Sequence, residues 1–305
     1  MKVGIFYGGT SEVAGQVDTV VRAEKDGFDS IWFGQINGPD VMTVLAMAGQ
    51  KTDRIEVGTS IVPTYTRHPT VMAQQAMTTQ AATNGRFNLG IGPSHQTTVE
   101  MMWGMSYDRP GIHTREYLDV ILPLINEGQV SVNGEFFRVN AQLRVPAPKP
   151  PPVFISALAP MMLRMAGERT AGTITWMVGP KTLESHIVPR ISKAANDAGQ
   201  PAPRVVVGLP IAVVDDVDAA REKAARSFQV YGTLPNYMRV IEKEGVSGPE
   251  EIAVVGNEAS VEQQLRDLAS AGATDFLAGS FPVGDDVKAS LARTRALVQS
   301  LVGKI

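Results

Sequence analysis

The sequence predicts an α/β protein of the (β/α)8 TIM-barrel class, a single domain over residues 1–305 with insertions after strands 4 and 7. Three observations predict it. Short β-rich runs alternate with longer helical runs about eight times. The 305 residues suit one elaborated barrel. With 44% hydrophobic and 19% charged residues, the chain can furnish a large core.

The elements follow in order. Residues 3–7 read as strand one, and 11–26 as a helix with Val17, Val20 and Val21 on helical spacing, ended by Gly27. Residues 29–33 are strand two, and Val41, Val44, Leu45 and Ala48 fall on one helix face. Residues 55–62 and 86–92 are strands three and four, with a helix over 70–82 between them and another over 117–125 after them. In 130–139, Asn133-Gly134 between β-prone runs predicts a small hairpin. The proline-rich 146–152 reads as a stiff crossing segment rather than a domain linker, because the alternation resumes at once. Strands five, six and seven fall at 153–156, 173–177 and 205–213, with helices over 160–171 and 183–198. Residues 217–255 read as an irregular helical insertion. Val261, Leu265, Leu268 and Ala269 mark a helix, 274–279 is strand eight, and Val287, Leu291, Val298 and Leu301 mark the closing helix. The rival is a doubly wound open sheet. Gly8-Gly9-Thr10 lies where such a sheet carries its phosphate turn but lacks the GxGxxG spacing.

Composition removes several function classes. The net charge is -3 and no stretch clusters Lys and Arg, so no nucleic-acid surface is expected. No apolar run reaches the roughly 18 residues of a membrane span, so no membrane partner is expected. The chain runs from Met1 straight into a strand, with no signal-peptide pattern, and it has no cysteine. Both fit a reducing, cytoplasmic setting. His68, His95, His113 and His186 form neither HxxxH nor HExxH, so no metal site is expected.

Barrels place their chemistry on the loops after the strands. Here those ends are small, apolar or hydroxyl-bearing: Tyr7-Gly8-Gly9, Gly34-Gln35-Ile36-Asn37, Thr59 through Tyr65, Gly90 through Gln96, Ser156 through Pro160, and Trp176-Met177-Val178. No pair of carboxylates and no strand-end lysine stands there for acid-base or Schiff-base chemistry. A bound cofactor would then carry the reaction. The turn Ala157-Leu158-Ala159-Pro160 opens a helix with small residues. It reads either as a phosphate cradle or as an ordinary turn with Pro at the first helical position.

Phe28-Asp29-Ser30-Ile31-Trp32, Gly58 through Thr64, Arg67-His68-Pro69, Asn84-Gly85-Arg86-Phe87 and Leu89-Gly90-Ile91-Gly92 come in an order that resembles the luciferase-like monooxygenase superfamily. Ser156 through Pro160 and Met165-Ala166-Gly167-Glu168 extend the match over nearly the whole chain. Gly92-Pro93-Ser94-His95-Gln96 and Ser106-Tyr107-Asp108-Arg109-Pro110 resemble the actinobacterial oxidoreductases thought to use coenzyme F420, a deazaflavin.

The resemblance implies a cofactor ring across the barrel mouth, with a non-prolyl cis peptide at Ser60-Ile61 behind it. Thr59, Ser60, Ile61, Pro63 and Gly92 would contact the ring and its polyol chain, and Ala157, Leu158, Ala159 and Pro160 would hold the phosphate. It also implies a homodimer and hydride transfer between F420 and a small-molecule substrate. Two alternatives stand beside that activity: an FMN-dependent monooxygenase on the same fold, or a non-catalytic cofactor-binding barrel. Gln35 and Pro93 stand where some deazaflavin-dependent members carry ionisable residues, so the resemblance assigns no proton donor.

Among individual residues, His95 is the candidate proton donor or hydrogen-bond partner; its other reading is a loop histidine that packs or caps. Gln35 would bond the ring's polar edge. Tyr107, Asp108 and Arg109 read as a lid, or as a surface Asp-Arg pair. Trp176, Met177, Met101, Met102 and Trp103 read as apolar substrate walls or as core. His68 would orient the start of a helix, and Arg86, at the other end of strand four, would serve stability.

Overall fold

Apolar β-branched runs and amphipathic runs sort into strands and helices along the chain. The computed structural model describes residues 1–9, 12–35 and 37–305. Thr10 and Ser11, at the expected start of the first helix, and Ile36 lie outside the described residues. The strands are β1 (Lys2–Tyr7), β2 (Ser30–Phe33), β3 (Glu56–Thr59), β4 (Val62–Pro63), β5 (Phe87–Gly92), β6 (Gln129–Asn133), β7 (Arg138–Gln142), β8 (Val153–Ser156), β9 (Gly172–Trp176), β10 (Arg204–Val213), β11 (Val254–Gly256) and β12 (Asp275–Ser280). The helices are α1 (Val13–Lys25), α2 (Val41–Gly49), α3 (Pro69–Ala82), α4 (Pro110–Asn126), α5 (Pro160–Arg169), α6 (Pro180–Thr182), α7 (Val188–Asp197), α8 (Val217–Phe228), α9 (Pro235–Glu244), α10 (Pro249–Ile252), α11 (Glu258–Ser270) and α12 (Val287–Ser300).

The chain forms two compact units. The first holds Met1–Tyr7, Lys25–Trp32 and Ala157–Ile305. In it β1 runs parallel to β12 (Val3 opposite Phe276), β12 to β10 (Phe276 opposite Val207) and β10 to β9 (Val206 opposite Ile174). Strands covered on both faces read as unbroken apolar runs. That is the case for β10, where every residue after Arg204 is buried. Arg204 itself pairs with the buried carboxylate of Asp275 at the start of β12.

The insertion after the seventh predicted strand departs from expectation in one respect. Its last residues, Val254 and Val255, are not helical; with Gly256 they pair as β11 with the end of β10 (Ile211 opposite Val254). Val255 is buried with Ala212, Ala220, Ala224 and Phe281, a small satellite core that an extended segment completes.

The second unit holds Gly8–Glu24 and Phe33–Ser156. Here β3 runs parallel to β5, and β5 to β8 (Leu89 opposite Val153). The single expected strand over 55–62 is two pieces, β3 and β4, parted by the cis peptide Ser60–Ile61. The hairpin β6–β7 is present, but Asn133 pairs with Arg138, so its loop is longer than an Asn-Gly turn. The carboxylate of Glu116 explains it: it accepts the backbone N–H groups of Glu135, Phe136 and Phe137 at 3.1, 2.7 and 3.2 Å. A Cβ on residue 134 would meet that carboxylate at 2.3 Å, so Gly134 makes room for Glu116.

Candidate active site

In the second unit, the ends of β3, β4 and β5 are locked by backbone and hydroxyl bonds. The buried Thr59 hydroxyl donates to the Gly90 carbonyl and accepts the Gly90 N–H, both at 2.8 Å. Ser60 N–H donates to Phe33 O at 2.8 Å, Gln35 N–H to Ile61 O at 3.3 Å, and Thr64 N–H to Gly92 O at 2.9 Å. Pro63 lies opposite Gly92 in the β4–β5 pair. A Cβ on Gly92 would come within 2.1 Å of Ser156 Oγ and 3.3 Å of Ile61 Cδ1. The predicted residues Gln35, Thr59, Ser60, Ile61, Pro63 and Gly92 therefore meet in one network. The Gln35 side-chain oxygen accepts the N–H of Val41 at 3.3 Å, which ties it to the start of α2.

His95 follows three residues after Gly92, half-buried, and burial lowers its pKa below the usual histidine value. Tyr107 comes to the same segment: its hydroxyl donates to Ser94 O at 3.0 Å, and its ring stacks on Tyr65 at 5.5 Å. Tyr65 stacks in turn on His113, with centroids 4.1 Å apart and planes 3° from parallel. Burial drives His113 down to about 4 against the opposing pull of Glu116. Arg109 turns elsewhere. It pairs with Asp108 and Glu135 and lies over the Phe136 ring at 5.5 Å, on the hairpin.

In the first unit, Ala157 through Pro160 lead into α5. Ala159 provides no side-chain cap to that helix, and Pro160 occupies its first turn. The exposed N–H end of such a helix favours an anion. His186 Nε2 donates to Leu158 O at 2.7 Å. A cavity of about 270 Å³ opens beside this turn, lined also by Arg190, Arg239 and Lys243. Sequence reasoning missed these four side chains.

Trp176, at the end of β9, packs against Phe6, Phe228 and Tyr231 with centroids at 4.7, 6.3 and 6.2 Å. Gly208 and Gly279 make space for its indole: a Cβ on either would approach ring atoms at 2.9 and 2.8 Å. Met177 is buried, but Met101 and Met102 are 84% and 54% exposed, which removes them from the core. They sit on a π-helical turn, 98–102, of which only Val99 is buried. Among the described residues no group of three His, Asp or Glu could hold a metal ion, and no helix is long and apolar enough to cross a membrane.

Comparison with solved structures defines the class. The coenzyme F420 dependent tetrahydromethanopterin reductase from Methanopyrus kandleri superposes with a TM-score of 0.78 at 22% identity, over 100% of this chain and 98% of that one. The oxygenating constituent of 3,6-diketocamphane monooxygenase from Pseudomonas putida, in complex with FMN, superposes with a TM-score of 0.78 at 16% identity, over 100% and 97%. These likenesses show the fold, a (β/α)8 TIM barrel of parallel strands and surrounding helices. The luciferase-like monooxygenase model matches residues 1–299, and the chain belongs to that family. A 5,10-methylenetetrahydromethanopterin reductase from Methanolobus tindarius is 28% identical over 274 residues, 88% of this chain and 83% of that protein.

Proposed function

We propose that the protein is an oxidoreductase that uses coenzyme F420 to move a hydride to or from a small organic molecule. The observation that carries this reading is the uncapped start of α5, which opens on a cavity lined by three cationic side chains and no carboxylate. That is the chemistry a phosphorylated cofactor needs. The F420-dependent reductase of the same fold supports the choice of cofactor.

The residues present fit such a group. The 157–160 turn and the cations beside it would hold the anionic end. In the second unit, the Thr59–Pro63 segment and Gly92, which the family resemblance assigns to the ring, offer backbone and small side chains with no ionised group. When bound, the deazaflavin supplies or accepts the hydride. The protein's part is to bind and orient the reactants and to manage one proton. Burial favours the neutral imidazole of His95. In that form it would accept the proton released when a substrate alcohol is oxidised, and in the reverse direction the imidazolium would return that proton to the carbonyl oxygen as the hydride arrives.

Fluorescence titration tests the cofactor. F420 is expected to bind at least about tenfold more tightly than FMN, a difference of ~1.4 kcal/mol. Tight FMN binding with no response to F420 would overturn the reading. Replacing His95 by Ala is expected to lower turnover about 100-fold while leaving cofactor affinity unchanged. Unchanged turnover would remove His95 from the mechanism.

A further inference from the structure

We infer that Tyr65 is a second hydrogen-bonding group for the substrate, its hydroxyl donating to the reacting oxygen of an uncharged ketone or alcohol at a site that rejects carboxylates. This rests on the F420 reading above and narrows its substrate.

Tyr65 follows the Thr59–Pro63 segment and Thr64, whose N–H bonds to Gly92 O fixes the backbone just before it. Its ring is held by stacking, on His113 at 4.1 Å and on Tyr107 at 5.5 Å. Tyr65 is 8% exposed, and its hydroxyl is buried without a hydrogen-bond partner among the described residues. Nδ1 of the stacked His113 is buried and unpartnered as well. A buried hydroxyl left unpaired destabilises the fold, and phenylalanine would fill the same space without that cost. A polar atom kept at the expense of stability points to a partner that arrives from outside.

The hydroxyl lies under the 94–109 segment. Tyr107 closes that segment on itself, donating to Ser94 O at 3.0 Å. Ser94 and Arg109, at its two ends, stand at φ +63° and +46°, left-handed backbone that side-chain-bearing residues adopt at a cost. Between them, only Val99 of the 98–102 turn is buried, and Met101, Met102 and Met105 are exposed. A cover with so little buried surface lifts readily. Lifting Tyr107 bares the Tyr65 hydroxyl beside the segment that carries His95.

Charge decides which oxygen fits. Burial first, and then the Tyr107 hydroxyl and the carboxylates of Asp108 and Glu100, push the Tyr65 pKa up to about 12. The hydroxyl stays protonated at neutral pH and remains a donor. The same carboxylates repel an anionic substrate. Arg67 is paired with Asp40, and Arg109 is shared between Asp108 and Glu135, so neither cation offsets them. A neutral carbonyl oxygen takes the hydrogen bond without that repulsion. As a ketone is reduced by the reduced deazaflavin, the carbonyl carbon gains the hydride, the C=O π bond breaks, and the oxygen takes the proton of the His95 imidazolium. Tyr65 keeps its own proton and stabilises the negative charge growing on that oxygen.

The test compares Tyr65→Phe with wild type. Three quantities are measured: the melting temperature without cofactor, F420 affinity by fluorescence, and F420-linked turnover. Turnover uses butanone and cyclohexanone, with 2-oxobutanoate as an acid of similar size. Wild type is expected to reduce the ketones with kcat/KM at least about fivefold above the acid. Tyr65→Phe should lower ketone kcat/KM by at least about fivefold, with F420 affinity within about twofold and the melting temperature unchanged or raised. A smaller loss of kcat/KM, or a variant that melts lower, would place the hydroxyl in the support of the fold and overturn the inference. So would a wild type that reduces neither ketone or favours the acid. Each of these leaves the F420 reading standing, provided wild type binds F420. Binding of FMN with no response to F420 would overturn that reading and the inference with it.

Discussion

Arg86 in the second unit and the Arg190, Arg239 and Lys243 group in the first are both sites of positive charge, and they are built oppositely. The Arg86 guanidinium donates to Thr52 Oγ1, Ile55 O, Gly49 O and Thr52 O at 3.1, 2.9, 3.0 and 2.6 Å. Beside it, Glu24 accepts the backbone N–H groups of Ile55 and Arg54 at 2.8 and 2.7 Å. Burial by itself would raise the Glu24 pKa, but those N–H donors, that of Asp53 and the charge of Arg86 hold it below the usual carboxylate value. The Arg86 and Glu24 charges at that end of β3 and β5 are spent mainly on the protein's own backbone. Around the α5 cavity the cations have no acidic partner among the described residues and surround open volume. Charge satisfied internally fixes shape; charge left over faces a solute.

The comparison breaks most visibly at Arg86. Arg86→Met should cost ~3 kcal/mol of stability, because several carbonyls lose a charged donor at once. Urea unfolding checks this, and F420 affinity of the folded fraction should stay at the wild-type value. A variant of normal stability would mean that those bonds contribute little and that Arg86 is no different from the cavity cations.

A smaller effect concerns His113, held neutral between Tyr65 and the hairpin aromatics. Its folded pKa of about 4 lies below the ordinary 6.5, so the unfolded chain binds more protons between those values. The stability it contributes is whole above about pH 6.5 and is lost as the pH falls toward 4. The melting temperature of the wild type should therefore drop by several degrees more over that window than that of His113→Phe. Parallel curves for the two proteins would show that burial of this ring carries no linked proton.

These contrasts also explain what the sequence displayed. The alternation was legible because a strand covered on both faces, such as β10, must be a continuous apolar run. The Thr59–Pro63 segment and Gly92 were singled out through the family resemblance, and they fold into one network because they stand at the ends of neighbouring strands. The hairpin was found for a reason that proved secondary: Gly134 answers to the Glu116 carboxylate, a tertiary contact, more than to a two-residue turn. β11 was hidden because three residues after a helical turn carry no period. Met101 and Met102 look like core until a π-helical turn presents them outward. The cavity cations were invisible for a similar reason. Arg190 lies on α7, Arg239 and Lys243 lie on α9, and each reads as an ordinary solvated helix charge until folding brings them to one opening.

The smallest expected effect is the most discriminating. Arg239 and Lys243 are exposed and have no ion-pair partner among the described residues, so replacing both with Ala should move the melting temperature by no more than about 1 °C. The direction should be upward if anything, since the change relieves repulsion with Arg190. Added inorganic phosphate should raise the wild-type melting temperature, because it binds only the folded cavity, and should raise that of the double variant less. A large fall in the double variant's stability would show that α9 uses these cations to hold itself in place. They would then belong with Arg86, and the distinction between spent and surplus charge would fail at the site where it matters most.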